Sequence, residues 1–125
     1  GNSTEFLDPV FSSGVTLAIS SGYKAADLII KQLNGETVDW ENDYEKVIKY
    51  GVNVFRSYVE AWYSGDLHTI FFVEEGNFEF KKQICSVLAG YVWDETNPFA
   101  KKHKSVLTTL AKVIRITNEA AMNKG

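Results

Sequence analysis

SSGVTLAISSGYKAADLIIKQLNG, residues 12–35, is the stretch that decides the fold class. Val15, Ala18, Ile19, Gly22, Ala26, Ile29, Ile30 and Leu33 recur at three- and four-residue steps, the period of a helix with one apolar face. Ser20, Lys24, Asp27 and Lys31 fall on the other side. The spacing predicts a helix from Val15 to Leu33, stopped by Asn34-Gly35. Ser12-Ser13-Gly14 leads into it, so unpaired N–H groups and the positive end of the helix dipole lie at that turn. Such an end suits an anionic or electron-rich ligand atom. By spacing the turn reads first as an ordinary cap.

The same period continues downstream and predicts an all-α chain with four main amphipathic helices. A second helix is expected from Asp39 to Tyr63, with Trp40, Tyr44, Val47, Ile48, Gly51, Phe55, Tyr58, Val59 and Trp62 inward. Asp39, Glu41, Asp43 and Glu45 crowd its start, where acids match the dipole; their spacing scatters them around the helix, which disfavours a metal site. Residues 66–76 fit a short helix or a short strand equally. His68 in that run is a possible acid–base group but has no visible partner. A third helix is expected from Phe78 to Val92, with Cys85 beside its inner face as a small buried hydrophobe. Asn97-Pro98 opens a fourth, from Pro98 to Ala121, with His103 on the inner face and Lys101, Lys102, Lys104, Lys112 and Arg115 outward.

Composition narrows the function classes. The 125 residues suffice for one domain, and the net charge of −3 offers no electrostatic footprint for nucleic acid. No apolar run is long enough to cross a membrane. The single cysteine excludes an internal disulfide and fits a cytoplasmic location. No two of the nine glycines are spaced as Gly-x-Gly, so a dinucleotide phosphate loop is missing.

The residues before the first helix read Gly1-Asn2-Ser3-Thr4-Glu5-Phe6-Leu7-Asp8-Pro9-Val10-Phe11-Ser12-Ser13-Gly14-Val15. This run resembles the second FAD-contacting motif of flavin-dependent oxidoreductases. It is most similar to the halogenase form, Gly-Asp-Ala-Ala-x-Phe-x-Asp-Pro-Val-Phe-Ser-Ser-Gly-Val. Asp8 to Val15 match without a gap. Where the family usually carries an acid that contacts the ribityl or phosphate part of FAD, this chain has Asn2, which can still hydrogen-bond. The run Leu88-Ala89-Gly90-Tyr91-Val92-Trp93-Asp94, followed by Asn97-Pro98, resembles a segment common near the C-terminus of the same branch.

The resemblance implies an irregular cofactor-contacting loop ahead of the helices, with FAD contacts at Asn2, Asp8, Pro9, Ser13, Gly14 and Val15. It implies that the first helix points its N-terminus at the flavin, and that in halogenases a halide sits by the backbone amides here belonging to Ser13 and Gly14. The chain is then expected to be the C-terminal segment of a larger flavoprotein, whose other parts supply the phosphate loop and a small-molecule substrate pocket. The segment by itself is expected to be inactive and to be capable of forming a homodimer. Halogenation, hydroxylation and dehydrogenation are not separated: Trp40, Trp62 and Trp93 form no Trp-x-Trp signature. The competing class is a non-enzymatic helical interaction or oligomerisation module, which the four amphipathic helices support and which has no use for the loop motif.

Overall fold

The computed structural model describes Leu7, residues 9–73 and residues 78–123. Among them every regular element is helical, as the three-four period predicts. A 3-10 turn at Pro9–Phe11 precedes α1, Ser13–Leu33; a π-turn at Glu41–Glu45 leads into α2, Lys46–Tyr63. Then follow α3, Asp66–Phe71; α4, Phe78–Leu88; α5, Pro98–Lys101; and α6, His103–Met122. The chain divides within α2 into two compact units, Gly1–Phe55 and Arg56–Gly125.

In the first unit, α1 begins two residues earlier than its apolar period suggests and ends as predicted. Gly35 takes a left-handed φ of 86°, and the N–H groups of Asn34, Gly35 and Glu36 turn back onto the carbonyls of the last helical turn. Of the acids at residues 39–45, Asp39 and Asp43 serve as a cap, while Glu41 pairs with Lys46 and Glu45 with Lys49. Asn42 N–H donates to Asp39 Oδ1 at 3.1 Å and Asp39 N–H donates to Asp43 Oδ2 at 3.1 Å, a reciprocal closure of the helix start. The Asn42 side-chain amide, donating to Asp39 Oδ2, and next the Asn42 backbone N–H hold the Asp39 carboxyl below its ordinary pKa. No metal-binding group of three His, Cys, Asp or Glu occurs among the described residues. Trp40 Nε1–H donates to Gln32 Oε1 at 3.3 Å and ties this start to α1.

The second unit has a core of Tyr58, Leu67, Ile70, Ile84, Val87, Val92, Phe99, Leu107 and Ala111. Residues 66–71 resolve into a helix, α3, which packs on α6. Arg115 joins the two, pairing with Asp66 Oδ1 at 2.7 Å and donating to Thr69 Oγ1 at 3.3 Å. Asn97 organises the next corner. Its Oδ1 accepts from Phe99 N–H at 2.9 Å and its Nδ2 donates to the Gln83 carbonyl at 2.9 Å, while Pro98 occupies the first helical position. The buried Tyr58 hydroxyl donates to the Phe99 carbonyl at 3.0 Å.

Four expectations need correction. The third helix stops at Leu88 and not Val92, because Gly90 turns left-handed at φ 107° and Tyr91 N–H closes on the Ser86 carbonyl. The fourth helix is two: Lys102, at φ −114° and ψ 33°, breaks it between α5 and α6. Cys85 is exposed, not a buried hydrophobe. The expected inner positions Trp40 and Trp62 of the second helix are exposed, while Val52, Val54 and Ala61 take buried places.

Candidate cofactor-contacting site

The turn ahead of α1 is built from Pro9–Phe11 and Ser12. Ser12 N–H donates to the Pro9 carbonyl at 2.9 Å, closing the 3-10 turn. Ser12 then sits at φ 53° and ψ 29°, the one non-glycine left-handed residue among those described. An L-residue pays roughly 1–2 kcal/mol for this conformation. Its side chain makes no capping bond to α1. The first turn of α1 also carries no acid. The positive end of a 21-residue helix is thus left without the usual side-chain compensation.

Ser13 stands at this end and is 1% exposed. Its hydroxyl has no hydrogen-bond partner, the one such buried side-chain atom among the described residues. A buried polar group left unpaired costs about 1–3 kcal/mol. Strained Ser12, the uncapped N–H groups and the orphaned Ser13 hydroxyl fall within five residues of one another, inside the run that resembles the FAD-contacting motif. They present donors, and a hydroxyl able to donate or accept, to a polar ligand atom. These are properties the polar edge of a flavin can use.

The structure brings together Ser13, Gly14 and the backbone of Val15 at the first turn of α1, with Pro9 opening the preceding turn. Asn2 and Asp8 lie outside the described residues. The Val15 side chain is exposed and stands about 200° around the helix from Ser13, so of Val15 the backbone N–H shares this end.

The two histidines have other surroundings. His68 tilts over the Phe72 ring at a centroid distance of 4.5 Å. His103, which periodicity places on an inner face, has its Nδ1 2.7 Å from the Oγ of buried Ser57. Burial, and secondarily the Lys104 charge, lower its pKa below the ordinary 6.5. Sequence spacing gives no sign of this pairing, whose members lie 46 residues apart.

No family model matches the chain. It is 52% identical to a crystal structure of a flavoprotein/dehydrogenase from Cytophaga hutchinsonii, with a TM-score of 0.89, over 94% of this chain and 29% of that one. It is also 25% identical over 116 residues to the 1H-pyrrole-2-carbonyl-(peptidyl-carrier protein) chlorinase of Pseudomonas fluorescens, covering 91% of this chain and 24% of that protein. The resemblance to flavin-dependent oxidoreductases and halogenases therefore extends over nearly the whole chain, while the chain spans less than a third of either relative.

Proposed function

We propose that this chain is the C-terminal segment of an FAD-dependent oxidoreductase of halogenase- or monooxygenase-like type, and that it lends the N-terminus of α1 to the flavin site. The observation that carries the reading is the Ser13 hydroxyl, buried and unpartnered beside uncapped helix N–H groups, in the middle of the eight-residue motif. The similarity to a flavoprotein/dehydrogenase and to a chlorinase supports the same class. FAD, when bound, would supply the redox chemistry. The residues of this chain hold and orient. Ser13, Gly14 and the Val15 N–H would meet the flavin edge at the α1 terminus, Pro9 would set the turn that presents them, and Asn2 and Asp8 complete the proposed contact set. The phosphate loop, the small-molecule substrate pocket and the groups that select one oxidation over another belong to other parts of the polypeptide.

Gly14→Val in the full-length polypeptide tests this. Gly14 lies where the cofactor edge must approach backbone, and an isopropyl group there occupies that space. Flavin content of the purified variant is expected to fall several-fold while its unfolding transition changes little. Normal flavin content with normal turnover would remove the assignment.

A further inference from the structure

Between Glu95 and Glu119 the sequence carries Lys101, Lys102, Lys104, Lys112 and Arg115 and no acid, in a chain whose net charge is −3. Three of these cations meet in one place. In an unbroken helix Lys101, Lys102 and Lys104 would spread over about 160° of arc. With the break at Lys102 between α5 and α6, all three line a single open cavity of about 480 Å³, together with His103 and hydroxyl-bearing residues of the first two turns of α6. Among the described residues its lining holds no acid and no hydrocarbon side chain.

Fold stability does not account for this cluster. Lys101 and Lys102 have no acidic partner among the described residues, and Lys104 reaches Glu60 Oε2 only at 4.0 Å, with both side chains well exposed. Cations are unfavourable at the positive end of a helix, yet Lys102 caps α6 and Lys104 lies in its first turn, which has no acid and no side-chain cap. A concavity lined by one sign of charge concentrates the opposite ion. The Ser105 and Thr108 hydroxyls already donate to the Lys102 and Lys104 carbonyls, at 3.2 and 3.1 Å, so the donors left for a ligand are the ammonium groups. Three compact cations with rotatable donors suit a multiply charged tetrahedral oxyanion better than a planar carboxylate, which the arginine fork matches. The polar lining offers nothing to an acyl chain. His103 is fixed to the core beside the lysines, its Nδ1 lying 2.7 Å from the Oγ of buried Ser57.

We infer that this cavity binds the phosphate-ester or pyrophosphate group of a soluble small molecule, held by Lys101, Lys102 and Lys104 with His103 beside it. Every residue of the site lies in the second unit, so it stands whether or not α1 meets a flavin.

Titration calorimetry on the full-length, flavin-loaded polypeptide tests the site, in phosphate-free buffer at constant ionic strength with sodium pyrophosphate and glycerol 3-phosphate as probes. Each is expected to bind once per chain. Lys101→Gln with Lys102→Gln and Lys104→Gln is expected to weaken both on the order of tenfold or more, whereas the same change at exposed Lys46, Lys49 and Lys82 leaves them within about twofold. The His103 ring resonances, assigned with His103→Gln, are expected to shift on saturation. Equal binding by the two triple variants, or no binding by the unsubstituted protein, would overturn the inference. So would displacement of flavin by pyrophosphate, since the cavity would then be the flavin's own phosphate site. Tighter binding of phosphatidic acid vesicles or of a short DNA duplex than of either soluble probe would overturn it too, since the occupant is then a lipid surface or a polymer. Unfolding midpoints without added anion are expected to be unchanged or higher in the variant lacking the three cavity lysines, because like charges have been removed. A lower midpoint would mean that these lysines serve the fold, and would count against the site.

Discussion

Ser13 is the residue at which stability and binding pull apart. In the 125-residue chain its buried hydroxyl is a cost, so Ser13→Ala is expected to raise unfolding stability by about 1 kcal/mol in a denaturant titration. In the full-length polypeptide the same change is expected to weaken flavin affinity, and a flavin titration measures it. A hydroxyl with only a packing role would not give opposite signs. His103 carries a pH signature. Its folded pKa lies below the unfolded value, so between the two the unfolded state binds more protons. The stability contributed by the neutral imidazole is complete above about pH 6.5 and declines as pH falls through the window beneath it. Denaturant midpoints across that range should slope downward on acidification, and His103→Gln should flatten the slope. At this scale the sequence pointed to Ser13 only through the motif it resembles, a match of eight consecutive residues. It did not show the Ser57–His103 pairing, because a contact across 46 residues leaves no trace in local spacing.

At the scale of the element, helix ends were the most legible feature and helix orientation the least. Asn34-Gly35, Ser64-Gly65 and Asn97-Pro98 each mark a boundary the structure uses, since a left-handed turn or a proline ring is a local requirement. Gly90 was available as a stop, but the apolar residues beyond it carried the expected helix past its end. The break at Lys102 has no glycine or proline to announce it. For α1 the period located the apolar face correctly and left open what covers it, because periodicity reports contrast between faces and not the presence of a neighbour. The Asn97 corner yields a direct test. Asn97→Ala removes both the cap to Phe99 N–H and the bond to the Gln83 carbonyl in a buried position, and is expected to cost about 2–3 kcal/mol in a denaturant titration.

At the scale of the whole molecule, the all-α architecture followed from the sustained three-four period, and the similarity to a flavoprotein and a chlorinase was legible in two short motifs, one at residues 1–15 and one at residues 88–98. On α1 the apolar side chains of Val15, Ile19, Ile30 and Leu33 are exposed. Copies of the 125-residue chain in isolation should associate through them, and their burial gains roughly 25 cal/mol per Å² before association costs. Sedimentation at micromolar concentration should show a concentration-dependent dimer, the commonest closed assembly; a clean monomer throughout would go against this. The central claim concerns the N-terminus of α1, and hydrogen–deuterium exchange of the full-length polypeptide addresses it most directly. Flavin binding is expected to slow exchange at the amides of residues 13–15, whose N–H groups have no partner of their own within the helix. Stoichiometric flavin binding that leaves those amides exchanging at their flavin-free rates would contradict the account.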